Sequence, residues 1–325
     1  MHIKSPCLNL LALALCIVMS PLQSQAAERK KVNISFPTAA TTGALYPLGA
    51  GIANVWNNKL GYVNTRVQAS NGGLQNLNLL REKEAQVSFA VSSIAYEAAH
   101  GENTFKDRAY PGLRVLTGLY YNPNQVVARA DSKVDTLADF KGKRFAPGSA
   151  GGTTEGESKV HFTAAGLKYP GEMQIQRVGF TESIDLMRNR QLDGAWIMAG
   201  IPTAAVTEMC ATANGKLIGM DAELIRKIQA DYPWYSPFVI PAGTYDGQKT
   251  DITTTAVKML LLTDSSLPDD LIYDLTKSLW ENLDEVRKAH SVMKTVTPDM
   301  AVKDLSGLLL HPGAEKYYRE VGLLK

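Results

Sequence analysis

Small hydroxylic and glycine residues stand at positions in this chain where they can hold a bound anion. Residues 38–46 read Thr-Ala-Ala-Thr-Thr-Gly-Ala-Leu-Tyr, and they are followed by Pro47, a residue type favoured in the first turn of a helix. Backbone N–H groups at the start of a helix, together with threonine hydroxyls, stabilise a negative charge. The segment therefore predicts one wall of a ligand cleft, and an ordinary strand-to-helix turn is the alternative interpretation.

Similar small-residue loops follow later strands. Ligands of open α/β sheets bind beyond the carboxyl ends of the strands, so these loops together predict a single carboxylate site. Tyrosines near them offer apolar walls that end in a hydrogen-bonding group. The residues predicted to contact the ligand are Thr41, Thr42, Gly43, Tyr46, Asn71, Gly72, Ser92, Ser93, Tyr96, Ser149, Gly151, Gly152, Thr153, Thr154, Gly200 and Tyr245.

Two arginines lie close to the predicted site. Arg144 precedes the Ser149 loop on its strand, and Arg177 lies near the end of the next strand. Either guanidinium can pair with a carboxylate through two hydrogen bonds. A solvated position on the protein surface is the alternative for both, and the sequence leaves the choice open.

A secreted hydrolase is the competing class of protein. Pro147-Gly148-Ser149-Ala150-Gly151 differs by one residue from the Gly-x-Ser-x-Gly turn that carries a nucleophilic serine. A catalytic triad also needs a histidine in a loop after the acid, and the histidines here stand on or beside helices or next to a turn. They are also scattered without the spacing of metal ligands. We therefore expect no enzymatic activity, no metal and no cofactor.

Strands alternate with helices along the chain. Residues 31–36, 65–69 and 86–91 each alternate or cluster apolar residues as strands do, and each is followed by a small-residue loop and a helical pattern. The layout repeats after residue 143, which predicts two similar lobes. Strand–helix alternation favours a parallel sheet flanked by helices. Helices are predicted at the end of the chain, over residues 268–290, 298–309 and 313–321.

The beginning of the chain predicts export. Lys4 precedes the apolar run Leu8–Met19, and small residues near 24–26 suit cleavage, so residues 1–26 are interpreted as a secretory signal peptide. Cleavage removes two of the three cysteines and leaves Cys210 without a partner, which predicts no internal disulfide. The formal net charge of +2, with scattered basic residues, gives no indication of nucleic-acid binding.

The motifs of the mature chain resemble a known family, the TAXI group of extracytoplasmic receptors that serve tripartite ATP-independent periplasmic (TRAP) transporters. The resemblance covers nearly the whole mature chain in the right order, and the tail motif is its most specific part. It is carried by the run from Thr38 to Pro47 with Leu48-Gly49, by Asn71-Gly72-Gly73-Leu74, Pro147-Gly148-Ser149 and Gly200-Ile201-Pro202, and by the tail His311-Pro312-Gly313-Ala314-Glu315-Lys316-Tyr317-Tyr318.

This resemblance implies a periplasmic receptor of α/β class and type II-like, two-lobed form. Each lobe is expected to hold a mainly parallel sheet flanked by helices, with a helical C-terminal tail. One lobe comprises residues 27–125 plus 239–325, and residues 126–238 form the inserted second lobe. The resemblance further implies a small organic acid or amino acid ligand, similar to glutamate or 2-oxoglutarate, and delivery to the membrane subunits of a TRAP permease.

The first loop departs from the family pattern. That loop is usually richer in glycine, and here several of those glycines are replaced. The added methyl groups restrict the backbone and narrow the space above it. The departure concerns the identity of the ligand more than the role of the protein. The replacing residues are Ala39, Ala40, Thr42, Ala44 and Leu45.

Overall fold

The first strand forms because every second side chain can be buried. In strand β1 (Val32–Pro37), Ile34 and Phe36 are buried, and Ile34 lies opposite Thr65 in the parallel strand β2 (Val63–Gln68). The computed structural model describes residues 1–2, 29–39, 41 and 44–325, of which Lys31–Lys325 form one compact unit. Apart from its first two residues, the predicted signal peptide lies outside the described residues.

The described residues form strands and α-helices in the alternating order that the sequence indicates over much of its length. The remaining strands are β3 (Val87–Val91), β4 (Leu113–Arg129), β5 (Arg144–Ala146), β6 (Gln174–Ile175), β7 (Gly194–Met198), β8 (Gly215–Ile218), β9 (Ser236–Ile240) and β10 (Ile252–Asp264). The helices are α1 (Leu45–Lys59), α2 (Gly73–Arg81), α3 (Ser92–His100), α4 (Thr153–Ala164), α5 (Phe180–Arg188), α6 (Ala204–Thr212), α7 (Ala222–Asp231), α8 (Asp269–Glu281), α9 (Leu283–Arg287) and α10 (Pro312–Glu320).

The main sheet is mixed, whereas the sequence predicted mainly parallel sheets. Its strand order is β3-β10-β4-β7-β5-β6, with β8 also pairing with β4 and β9 with β10. Strand β10 runs antiparallel to β3, β4 and β9, and β4 runs antiparallel to β7 and β8. The α/β class is therefore correct and the strand directions were partly wrong. The reason is that β10 returns between β3 and β4 instead of following a crossover helix.

The C-terminal tail is helical at its two ends and irregular between them. The predicted helix over residues 298–309 is only a short 3-10 turn, Pro298–Ala301, because Asp304 and Ser306 have φ angles of 52° and 57° that a right-handed helix does not allow. The predicted helix over residues 268–290 divides into α8 and α9.

The tail motif stabilises the last helix. His311 is buried, and its Nδ1 accepts a hydrogen bond from the backbone N–H of Gly313 at 3.2 Å, which caps α10. A Cβ on Gly313 would lie 2.1 Å from the carbonyl oxygen of Asp269, so only glycine lets α10 approach α8 this closely. Trp280 donates to the Tyr318 hydroxyl at 3.0 Å across the same contact. The most specific motif of the sequence therefore has a structural role.

No helix in the described part of the chain is long and apolar enough to span a lipid bilayer.

Candidate functional site

One cavity of about 790 Å³ lies where the loops after several strands converge. Cavities of this size hold small organic ligands in many proteins. The side chains around it are mainly apolar, with a few hydroxyl, amide and imidazole groups among them. It is lined by Ala39, Ala44, Leu45, Gly73, Phe89, Ala90, Val91, Tyr120, Asn122, Thr153, Phe180, Thr181, Ile184, Met198, Ala199, Gly200, Ile201, Pro202, Thr203, Ala204, Ala205, Glu208, Met259, His290, Ser291 and Val292.

Five helices begin at this cavity. The first residues of α1, α2, α4, α5 and α6 all belong to its lining, namely Leu45, Gly73, Thr153, Phe180 and Ala204. The first amide groups of a helix have no partner within the helix, and the helix dipole places partial positive charge there. These helix starts therefore place partial positive charge at the cavity, although no lysine or arginine belongs to its described lining.

The residues that precede these helices leave the first turns open. Ala44, Gly72, Gly152, Gly179 and Thr203 occupy the N-cap positions, and none of their side chains makes a capping hydrogen bond. A capped helix start is found at α7, where the Asp221 carboxylate accepts a hydrogen bond from the Leu224 N–H at 2.8 Å. Small N-cap residues at the cavity thus leave amide donors available to a ligand.

The predicted contact residues fall into four groups. Thr153 and Gly200 line the cavity, and Gly200 approaches Val292 so closely that a Cβ would lie 2.7 Å from its Cγ2. Thr42 and Gly43 lie outside the described residues. A further group lies beside the lining, on the same loops or in the turns of helices that begin there, and comprises Thr41, Tyr46, Asn71, Gly72, Ser149, Gly151, Gly152 and Thr154.

The remaining predicted residues lie behind the cavity lining. Ser92 is buried and accepts a hydrogen bond from the Lys258 N–H at 3.0 Å. Tyr96 stacks on His100 with ring centroids 4.0 Å apart. The Tyr245 hydroxyl accepts from the Thr203 N–H at 3.0 Å and donates to Gln125. The first contact joins α3 to β10, the second lies within α3, and the third holds Thr203 against β4. All three side chains lie outside the cavity lining.

Ser93 takes part in a buried polar network around Glu157. The Glu157 carboxylate is 3 % exposed and accepts hydrogen bonds from the Ser93 hydroxyl at 2.8 Å and from the Asn124 amide at 3.3 Å. Tyr235 bonds to the same carboxylate. Burial raises the pKa of Glu157 to about 7, against the opposing effect of these hydrogen bonds. The network joins α3, α4 and β4 behind the cavity.

His161, one turn after Glu157, is part of the same network. It is fully buried, with Nδ1 2.7 Å from the Glu157 carbonyl oxygen and Nε2 2.6 Å from the Thr255 hydroxyl. Burial lowers its pKa to about 4, so the ring is neutral at pH 7. Within the described part of the chain, the rings of His100, His161, His290 and His311 bond to groups other than Ser149.

Glu157→Gln should change how the free energy of unfolding depends on pH. The pKa of Glu157 is raised on folding, so the folded protein keeps a proton that the unfolded chain releases, and wild-type stability falls as pH rises through about 7. Glutamine carries no such proton. Between pH 6 and 8 the stability of the variant relative to wild type should therefore rise by about 1 kcal/mol, measured by urea denaturation at each pH.

Glu155→Gln, on the same helix, is the matched control. The pKa of Glu155 is lowered on folding, partly by Arg177, so both its folded and unfolded forms are ionised above pH 6. Its stability difference from wild type should stay constant from pH 6 to 8. Parallel curves for wild type and Glu157→Gln would show that Glu157 is already ionised in the folded protein.

Neither arginine that the sequence singled out is free. The Arg144 guanidinium bonds to both carboxylate oxygens of Asp193, at 2.7 and 3.1 Å. Arg177 bonds to Glu155 at 2.5 Å. Neither residue belongs to the cavity lining.

Sequence reasoning missed most of the apolar wall. Ile184, Met198 and Met259 line the cavity, but in the sequence they look like ordinary core residues of helices and strands. Thr181 was the polar residue that could have been found, because it lies in the loop Gly179-Phe180-Thr181 at a predicted strand end.

The fold is similar to that of solved proteins from several bacteria. A protein from Bordetella bronchiseptica RB50 is 13 % identical, with 90 % of this chain and 98 % of that chain covered and a TM-score of 0.54. A Xanthomonas citri protein solved with ATP bound is 10 % identical, with 89 % and 99 % covered and a TM-score of 0.52.

A TctC solute-binding protein from Polaromonas, solved without ligand, is also similar. It is 13 % identical, with 90 % of this chain and 98 % of that chain covered and a TM-score of 0.51. Identities this low show the fold alone, and the fold of a solute-binding protein predicted from the sequence is confirmed. The sequence of residues 36–322 matches the NMT1-like family, and the chain therefore belongs to the NMT1-like family.

Proposed function

We propose that this protein is a periplasmic receptor that binds a small carboxylate in the cavity and delivers it to a membrane permease. The observation that carries the proposal is the convergence of five open helix starts on one cavity. Amide donors at helix N-termini bind a carboxylate without the cost of burying a cationic side chain. The apolar remainder of the lining surrounds the rest of the ligand.

A two-lobed arrangement, with residues 27–125 plus 239–325 in one lobe and 126–238 in the other, is part of the proposal. The distribution of the hydrophobic core supports it. The largest cluster combines residues 34–120 with residues 228–318, and two smaller clusters lie within residues 126–245. Strands β4 and β10 contribute to the core on both sides, and Trp234 and Tyr235 pack with the first lobe.

We further propose that the permease is of the TRAP type and that the receptor belongs to its TAXI group. This rests on the resemblance of the loop and tail motifs, and on export by the predicted signal peptide. Membership of the NMT1-like family and the fold shared with a TctC solute-binding protein are compatible with it.

Binding is tested by adding candidate acids to the purified protein and measuring melting temperature and heats of binding. A panel of 2-oxo acids, amino acids, monocarboxylates and dicarboxylates covers the class. At a ligand concentration of 100 Kd the free energy of unfolding should rise by about 2.7 kcal/mol. The acid should be recovered unchanged. If no acid in the panel raises the melting temperature or gives a binding isotherm, the proposed function is wrong.

A further inference from the structure

The walls of the cavity differ from those that a dicarboxylate requires. Phe89, Val91, Tyr120 and Met259 are each at most 6 % exposed and line the cavity on the side of β3, β4 and β10. These side chains present hydrocarbon, a ring face and a thioether to the ligand. Displacing water from such a surface favours an apolar ligand by about 25 cal/mol per Å² buried.

The other wall is equally apolar. Phe180 and Ile184 of α5, Met198 at the end of β7, and Ile201 with Pro202 face the cavity from this side. Phe180 is also the first residue of α5, and Pro202 comes two residues before α6, so these apolar side chains lie directly beside the helix starts. A polar ligand body placed between these apolar side chains would lose its hydration and could regain hydrogen bonds from only a few polar groups of the described lining, such as Asn122 and Thr181, so its burial is costly.

The described lining contains few charged groups that could pair with a second charge on the same ligand. The lining contains no lysine or arginine among the described residues. Its one carboxylate, Glu208, is bonded to Arg188 at 2.6 Å, so it is already neutralised. The imidazole of His290 accepts from the Val292 N–H at 3.2 Å through Nδ1. A second carboxylate would therefore meet no lysine or arginine in the described lining, and an α-ammonium would compete with Arg188 for Glu208.

We infer that the ligand is a monocarboxylic acid with an apolar body, aromatic or branched aliphatic, and not a glutamate- or 2-oxoglutarate-like dicarboxylate. This inference rests on the proposed function, because the helix starts hold the single carboxylate. The apolar body lies between the Phe89–Met259 wall and the Phe180–Met198 wall. The specificity of the receptor then comes from burial of hydrocarbon, and the affinity should rise with the apolar area of the body.

Isothermal titration calorimetry tests the inference with defined probes. The probes are 4-phenylbutyrate and 4-methyl-2-oxopentanoate, compared with glutamate and 2-oxoglutarate, and 4-phenylbutanamide as the uncharged match of the first. We expect at least one apolar acid to bind at least tenfold more tightly than either dicarboxylate, with a negative heat-capacity change. The amide should bind at least tenfold more weakly than its acid.

Two variants at Met198 provide a matched pair. Met198 is half-buried at the edge of the cavity, where a long side chain can be accommodated. Met198→Lys supplies the missing cation, so it should raise the affinity for 2-oxoglutarate relative to 4-phenylbutyrate at least tenfold. Met198→Leu keeps the wall apolar, so it should change the ratio of the two affinities less than Met198→Lys does. Melting temperatures without ligand establish that both variants fold.

The outcomes separate this inference from the proposed function. Tighter binding of glutamate or 2-oxoglutarate than of the apolar acids would overturn the inference and leave the receptor function intact. Equal binding of 4-phenylbutyrate and its amide would show that the helix starts do not hold a carboxylate, and would overturn both. Absence of binding by every acid, in a protein that melts cooperatively, would likewise overturn both.

Discussion

Replacing Gly179 with aspartate should lower the affinity for a carboxylate ligand at least about a hundredfold while the unliganded protein remains as stable as wild type. Gly179 is the N-cap of α5, which opens at the cavity with Phe180 and Thr181. Its φ and ψ of −75° and 175° suit any residue, and a Cβ there would meet only the Ser149 hydroxyl, at 3.6 Å. Aspartate at this position accepts hydrogen bonds from the first turn of the helix.

The expected loss of affinity follows from the hydrogen bonds that the ligand carboxylate no longer receives. A hydrogen bond to a charged group contributes about 1.5–3 kcal/mol, and the new carboxylate also repels the ligand carboxylate. A loss of 1.4 kcal/mol is a factor of ten in affinity, so the combined effect reaches a hundredfold or more. The capping bond itself stabilises the helix by a few tenths of a kcal/mol over glycine. Calorimetry with the tightest-binding acid of the panel measures the affinity.

Two further variants separate the contributions of charge and of lost amide donors to the lower affinity of Gly179→Asp. Gly179→Asn occupies the same amide donors without a charge, so it should lower the affinity less than aspartate does. Ala222→Asp adds a carboxylate to the exposed first turn of α7, outside the cavity lining, and should leave the affinity unchanged. Wild-type affinity in Gly179→Asp would show that α5 does not contact the ligand carboxylate. A melting temperature lowered by many degrees would show that the glycine is needed for folding.

Lys258→Met should raise the free energy of unfolding by about 2 kcal/mol at pH 7. Lys258 on β10 is 1 % exposed, and its Nζ lies 4.1 Å from the centroid of the Tyr121 ring, with no hydrogen-bond partner among the described residues. Burial lowers the pKa of this ammonium to about 8. One pKa unit corresponds to about 1.4 kcal/mol, so the buried charge costs about 3 kcal/mol at pH 7. Methionine removes that cost and also the cation–π attraction, about 1 kcal/mol.

The pH dependence of the free energy of unfolding tests independently whether the Lys258 charge is destabilising. The pKa of Lys258 is lower in the folded than in the unfolded protein, so the destabilisation is fully present below pH 8 and disappears as pH rises toward 10.5. The advantage of Lys258→Met over wild type should therefore shrink between pH 8 and 10, in urea denaturation curves. Lys303 is exposed and lies next to Asp304 in the sequence, so Lys303→Met is the control. It should change the free energy of unfolding by less than about 0.5 kcal/mol.

A variant Lys258→Met less stable than wild type at pH 7 would contradict the prediction. It would mean that the ammonium is stabilised in solution by a partner, and that the charge contributes to the fold instead of opposing it.

Local structure around the cavity was largely predictable. Residues 31–36 and 86–91 were predicted as strands, and β1 and β3 occupy these positions to within a residue. Alternation or clustering of apolar residues, followed by glycine and hydroxylic residues, indicates a strand end and a helix start because these signals act over a few neighbouring residues.

Strand β10 was the main omission. Its residues Ile252–Asp264 are mostly β-branched or apolar, with Lys258 among them, and all but the first two are buried. A strand covered on both faces shows no alternation, so periodicity does not reveal it. The directions of the neighbouring strands depend on β10, and for that reason the predicted parallel sheets were partly wrong.

The sequence by itself determined where the loops and helix starts lie, because the conformation there depends on adjacent residues such as Gly72, Gly152 and Gly179. Only the tertiary structure decided which of them meet. Thr153 and Gly200 line the same cavity, whereas Ser93 is bonded to Glu157 behind it. Convergence depends on contacts between residues far apart in the chain, which the packing of the whole sheet and its helices sets and a local pattern does not encode.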